Sequence, residues 1–351
     1  MLRATRRHPY RFGATAVACL MLAGTTARRA PADAAEQTLA ARRFVKSYAR
    51  PAAVPFPPNN QPTPAREALG KSLFFDPRLS GSDRIACASC HNPALSWGDG
   101  LARAVGHEKT PLARRTPTIL NLAWSDSMFW DGRVESLEEQ ALGPIQAPGE
   151  MNLALDRMVA KIGAIPGYRQ LFADGYPGEP IAEATVAKAI ATFERRVVSG
   201  TAPFDRWQAG ATDAMSADAQ HGFELFNTKA RCSKCHDGWR FTDDSFHDIG
   251  IPGTDRGRGT ILPNIEVMQY AFKTPTLRNV TGRAPYMHDG SVATLEDVVE
   301  LYDRGGLARR PSLSPEIQPL RLTAGEKRDV LAFLRALTSV YTPVEIPPLP
   351  R

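Results

Sequence analysis

The sequence predicts an all-α fold built as two similar halves, and three observations carry that prediction. Apolar residues recur at helical spacing along the chain without convincing strand alternation. A helix carrying Gly-x-x-Leu-Phe, at Gly70 and again at Gly222, precedes a Cys-x-x-Cys-His motif in each half. An amphipathic helix then closes each half, at 181–199 and at 322–339. The 351 residues, 43% of them hydrophobic, suffice for two modest domains, and 29 prolines and 27 glycines place many loops between short helices.

In chain order, residues 1–35 read as a cleavable signal peptide. A basic start is followed by an apolar stretch from Ala14 to Gly24, too short to span a bilayer, and by small residues at Ala32 and Ala34. This segment holds six arginines and one aspartate, so cleavage takes the formal charge from +6 to +1 and leaves no argument for a nucleic-acid partner. No later stretch reaches transmembrane length, so the mature chain is expected in the periplasm with no integral membrane span. Residues 36–62 form an N-terminal extension, with a short helix over 36–50 and a proline-rich connector, PAAVPFPPNNQPTP, beginning at Pro51. The first domain is assigned to 63–205 and the second to 206–351, joined through the stretch 199–216, where Gly, Pro and Ser interrupt the helical pattern.

Beyond the signal peptide the chain has four cysteines, Cys87, Cys90, Cys232 and Cys235, and each pair is followed directly by a histidine, His91 or His236. Cys-x-x-Cys-His is the attachment signature of a c-type haem. On a helical turn positions i, i+3 and i+4 share a face, so two thioethers hold the porphyrin edge while the histidine turns onto the iron. A zinc site, a thioredoxin-like redox pair and two small disulfides explain the pattern less well. Zinc ligand pairs usually stand closer in sequence, and a redox pair does not need a histidine after both motifs. Two covalent haems are therefore expected, one in each of two cytochrome c-like domains.

In the second half, Thr294 is a predicted N-cap with Asp297 three residues on. Leu295, Val298, Val299 and Tyr302 then recur at helical spacing until Gly305-Gly306 ends the helix. Tyr302 thereby falls on the inward face, where its hydroxyl needs a partner.

Together with the paired haem motifs, FWDGRVESLEEQALGPIQAPGEM (129–151) and APYMHDG (284–290) make the chain from about residue 60 resemble the bacterial dihaem cytochrome c peroxidase family, closest to its MauG-like (MbnH-like) branch. The resemblance implies that the first haem is the peroxide site, with His91 as proximal ligand and Glu150, Gln140, Arg133 and Pro144 around the distal pocket. A carboxylate there moves protons between the oxygens of peroxide, help typically worth ~10²–10⁴ in rate. Trp130 would lie between the haems and relay charge. His107 stands where reductively activated peroxidases carry a histidine that closes the resting first iron. The second haem would be held by Cys232, Cys235 and His236. Ordinary peroxidases of the family carry a methionine fourteen residues after the histidine of PY-x-H; here His288 leads to Tyr302, the MauG-like tyrosine position. A thioether ligand favours ferrous iron, whereas a phenolate favours ferric and higher states.

Two departures accompany the resemblance. The family often binds calcium between its haem domains, but Arg115 stands where an asparagine ligand is found and Arg283 precedes the PY motif, so calcium is a candidate cofactor with no assigned ligand. A surface tryptophan two residues before the second haem motif is replaced by Ala230, while Trp97, Trp124, Trp207 and Trp239 offer other routes for charge. The resemblance implies a periplasmic enzyme that uses hydrogen peroxide to form a high-valent dihaem state, which oxidises a residue such as tryptophan on a partner protein. The alternatives are a cytochrome c peroxidase fed by a small cytochrome c or cupredoxin, and a non-enzymatic dihaem electron carrier. Glu150 and Gln140 speak against the carrier, and Tyr302 against ordinary peroxidase cycling.

Overall fold

The computed structural model describes residues 41–351; the expected signal peptide and the first residues of the extension lie outside the described residues. Thr63 opens the first half: its hydroxyl accepts from the Arg66 N–H at 3.2 Å and caps α1 (Pro64–Phe75), whose leading proline needs no donor. Helices α2 (Leu137–Gln146), α3 (Leu155–Gly163), α4 (Pro166–Gly175) and α5 (Glu183–Arg195) follow. Then come α6 (Pro203–Gln208), α7 (Ala217–Asn227), α8 (Leu295–Asp303) and α9 (Ala324–Ala336). The closing helices predicted from the sequence are α5 and α9, each somewhat shorter than its apolar pattern. The fold is helical as expected, with one small sheet added: β1 (Phe246–His247) pairs antiparallel with β2 (Phe272–Lys273). Strands of two residues are too short to show alternation.

The halves repeat each other in contacts as well as in order. In each, the Gly-x-x-Leu-Phe helix crosses the closing helix at its glycine. A β-carbon at Gly70 would stand 1.9 Å from Ala189 O, and one at Gly222 would stand 1.9 Å from Asp329 O, so only glycine admits the approach. Leu69, Leu73, Phe74, Phe172 and Ile190 fill the first core; Phe204, Phe223, Phe226, Phe333 and Leu337 fill the second. A Thr-Pro-Thr-x-x-Asn loop follows each haem motif, at 116–121 and at 274–279. Asn121 Oδ1 accepts from the Ser199 N–H at 2.9 Å and Asn279 Oδ1 from the Ser339 N–H at 3.2 Å, which pins each loop just beyond its own closing helix.

From these loops onward one register, without insertion, superimposes the two sequences. It carries the Met128–Val134 bridge onto the Tyr286–Val292 bridge, and α2, capped by Ser136, onto α8, capped by Thr294. It also carries Arg115 onto Lys273, Trp130 onto His288 and Pro144 onto Tyr302. The corresponding loops meet across the junction of the halves: the Arg115 N–H donates to His288 O at 2.9 Å, and the Lys273 N–H to Trp130 O at 2.8 Å.

The chain ends brace this pair. Tyr48, which precedes the first half, packs in the second core and donates to Asn227 Oδ1 at 2.7 Å. In the other direction, Val344 packs against the first core and Arg351 O accepts from the Gly167 N–H at 2.8 Å. The division expected at 205/206 falls inside α6, whose Phe204 and Trp207 are both buried in the second core, so packing assigns that helix to the second half.

Candidate functional site

A cavity of about 1090 Å³ is lined by residues of both Cys-x-x-Cys-His motifs, among them Cys90, His91, Cys232, Cys235 and His236. Ordinary small-molecule pockets span ~300–1000 Å³, so this one suits large apolar groups. The four cysteines form no disulfide, and among the described residues no cluster of ligating side chains joins the two pairs. The His91 N–H donates to Cys87 O and the His236 N–H to Cys232 O, both at 2.9 Å, so each histidine turns back over its cysteines.

His91 Nδ1 lies 3.3 Å from Trp97 O, and His236 Nδ1 lies 2.9 Å from Phe241 O. A carbonyl only accepts, so each ring donates through Nδ1 and keeps the Nε2 lone pair for a metal. Burial holds both imidazoles below their usual pKa, in the neutral form a ligand requires. Burial also pushes the Cys90 thiol up to about 11 and the Cys232 thiol up to about 12. The donor set fits two haems.

In the first half, α2 sets Gln140 and Pro144 one turn apart on the cavity wall. Pro144 has no N–H, so the Gln140 carbonyl loses its helical donor and the helix ends two residues later. The chain then folds back: the Met151 N–H donates to Pro144 O at 3.1 Å, and the Glu150 and Asn152 N–H groups both donate to Ala147 O at 3.0 Å. With Met151 buried as the anchor, Glu150 is returned to the cavity wall. Burial raises its carboxyl above the usual carboxylate range, and Arg133 opposes that rise. Arg133 is held by Asp131 at 3.0 and 3.1 Å and stacked 3.5 Å over Phe129. A half-buried carboxyl with a tethered guanidinium nearby can take up and release a proton inside the pocket.

In the second half, Tyr302 lines the cavity with His236, on a helix whose Leu295 and Val299 are buried in the core. Burial pushes its phenol above its ordinary value, with the Cys235 and Cys232 thiols adding to the rise. Among the described residues its hydroxyl has no hydrogen-bond partner. Trp130 sits at the junction of the halves: its Nε1–H donates to Arg115 O at 3.0 Å while its carbonyl takes the Lys273 N–H.

His107, which the resemblance offered as a possible ligand of the first iron, is not among the residues lining the cavity. Its N–H donates to Gly149 O at 3.1 Å and Glu150 O at 2.8 Å, so it braces the loop that presents Glu150. At the two positions considered for calcium, Arg115 and Arg283 are buried guanidiniums, like charges that disfavour a divalent cation. Ala230 is buried, whereas Trp124 and Trp239 meet edge to face at 4.7 Å close to the second motif. The correspondence of Pro144 with Tyr302 was missed at the level of sequence; the recurring Thr-Pro-Thr-x-x-Asn and Asp-Gly pairs carry its signal.

Comparison with known proteins agrees with this geometry. A family model described as di-haem cytochrome c peroxidase matches residues 64–213. The chain is 51% identical over 327 residues to the methylamine utilization protein MauG of Methylorubrum extorquens, covering 92% of each chain. It is 34% identical over 288 residues to the cytochrome c551 peroxidase of Nitrosomonas europaea, covering 80% of this chain and 82% of that one. Among solved structures, a MauG-like protein associated with microbial copper homeostasis matches with a TM-score of 0.75 at 31% identity, over 83% of this chain and 95% of that one.

Proposed function

The chain belongs to the di-haem cytochrome c peroxidase family, whose members are peroxide-dependent oxidoreductases, and from that premise we propose that it is a periplasmic MauG-like enzyme that uses hydrogen peroxide to oxidise a residue of a partner protein. Cys87 and Cys90, and Cys232 and Cys235, would each hold a c-type haem, and the two haems would supply peroxide reduction and storage of the oxidising equivalents.

The observation that carries the division of labour is the pairing of Pro144 with Tyr302. Pro144 offers no donor atom, so a haem held by His91 would be left open to peroxide where Pro144 lines the cavity. Gln140 lends an amide to orient it. Glu150 would take up a proton from peroxide and return one to the departing oxygen, a role suited to a carboxyl raised by burial. Tyr302 would offer a hard oxygen donor to a haem held by His236, and Trp130, hydrogen-bonded to both halves, would be the aromatic path between them. The tyrosine in place of a thioether, together with 51% identity to MauG, supports protein oxidation over peroxidase cycling. The signal-like N-terminus supports export, and no described helix is long and apolar enough to cross a membrane.

Stopped-flow mixing of the fully ferric protein with one equivalent of hydrogen peroxide tests this reading. An immediate and persistent optical change without prior reduction is expected. Reaction only after one-electron reduction would favour a cytochrome c peroxidase fed by a small redox protein.

A further inference from the structure

Arg115 and Arg283 are 8% and 9% exposed, and both line the cavity. Arg114 shows what a satisfied arginine looks like here: it holds Asp255 through bonds of 2.6 and 2.9 Å and Asp131 at 2.7 Å. Arg115 has no ion-pair partner among the described residues, and its buried Nε has no hydrogen-bond acceptor. The acid that acts on it most, Asp99, already accepts from Thr116 Oγ1 at 2.7 Å and from the Leu101 N–H at 2.9 Å. Arg283 donates only to neutral carbonyls, Nη2 to Thr276 O at 2.5 Å and Nε to Asn279 O at 3.4 Å. Burial, and then the charge of Arg115, push Arg283 down to about 9. Two desolvated like charges without a counter-ion are strongly unfavourable, so this part of the cavity calls for an anion.

The position of the pair says which anion. Arg115 immediately precedes Thr116 and Pro117, which reach the Cys90 thiol and the His91 ring. Arg283 bonds to Thr276 in the corresponding loop, whose Pro275 reaches the His236 ring. The pair therefore stands between the two haem motifs. A haem is apolar except at its propionates, and guanidinium with carboxylate makes a charge-assisted, bidentate contact. We propose that Arg115 and Arg283 form a carboxylate clamp that seats a haem propionate in the shared cavity, the propionate supplying the counter-charge that no described side chain provides. This rests on the haem-holding reading of the cavity.

The test is a redox titration of the haem-loaded wild type beside R115Q, R283Q, the charge-keeping R115K and R283K, and R169Q, a surface arginine bonded to Gly163 O and Ala164 O, as control. Loss of a cation beside a propionate favours ferric haem. In each glutamine variant the ferrous-to-ferric ratio of at least one haem should fall about tenfold at fixed potential, a shift of ~59 mV for one electron. The lysine variants should restore most of that shift, and R169Q should show none. Propionate bending bands in resonance Raman spectra of the wild type and lysine variants report the contact directly where a glutamine variant fails to fold, and the bands should differ. Unchanged potentials together with unchanged bands would overturn the clamp. Wild-type potentials that respond to inorganic phosphate at constant ionic strength, and cease to respond in R115Q, would make a free anion the occupant and overturn it as well. A purified chain without haem would instead overturn the haem reading on which the clamp depends.

Discussion

Pro144 occupies in the first half the helix position that Tyr302 occupies in the second, and both line one cavity. Each follows a hydroxyl-capped helix start, Ser136 or Thr294, at the same distance, and each helix is led in by the same bridged turn. A phenol oxygen can bind a metal and a pyrrolidine ring cannot. On the proposed reading, this nearly symmetric frame would leave one haem open to a small oxidant and give the other a second ligand in Tyr302.

Glu150→Gln is expected to slow the reaction with hydrogen peroxide by about 10²–10⁴ while both haems stay attached. Rapid-mixing kinetics at fixed haem content check this. A wild-type rate would remove the carboxyl from proton transfer.

Tyr302→Met replaces a hard oxygen donor with a thioether. The potential of the second haem is expected to rise, because methionine ligation favours the ferrous state. Spectroelectrochemical titration reads the change, and superimposable curves would return Tyr302 to a packing role.

Glu194 is 3% exposed, its Oε2 has no hydrogen-bond partner among the described residues, and burial pushes its carboxyl up to about 8. The folded pKa lies above the unfolded 4.5, so the contribution of this group is full below about 4.5 and is lost as pH rises through about 8. Glu194→Gln should therefore gain stability over the wild type between pH 5 and 8, by on the order of a few kcal/mol. Denaturant titrations across that range measure it, and parallel pH profiles would refute the assignment.

Chelation of divalent cations is expected to leave the haem spectra and peroxide kinetics unchanged, since Arg115 and Arg283 already place positive charge at the junction. Activity lost to a chelator and restored by calcium would show that a cation sits there despite them.

What the sequence revealed was mostly local. The cap at Thr294, the closing helices and the turn of His91 and His236 over their cysteines follow from spacing within a few residues. The placement of His107 was not legible, because it depends on backbone bonds to Gly149 and Glu150, far along the chain and unmarked by any periodicity. The strand pair at Phe246 and Phe272 was too short to leave a pattern. The correspondence of Trp130 with His288 was written in the recurring Asp-Gly turn, but its meaning emerges only from the exchanged bonds of Arg115 and Lys273 across the junction. The two arginines could be seen as departures from a calcium site, whereas their shared lack of a counter-ion is a property of three-dimensional packing.

The most direct test of the central claim is electron paramagnetic resonance of the fully ferric, haem-loaded protein. The asymmetry of Pro144 and Tyr302 predicts one high-spin and one low-spin haem in equal amounts, with the high-spin signal lost on adding a small exogenous ligand such as cyanide. Two low-spin signals in the resting protein would contradict it, because a side chain would then be closing the pocket that Pro144 leaves open.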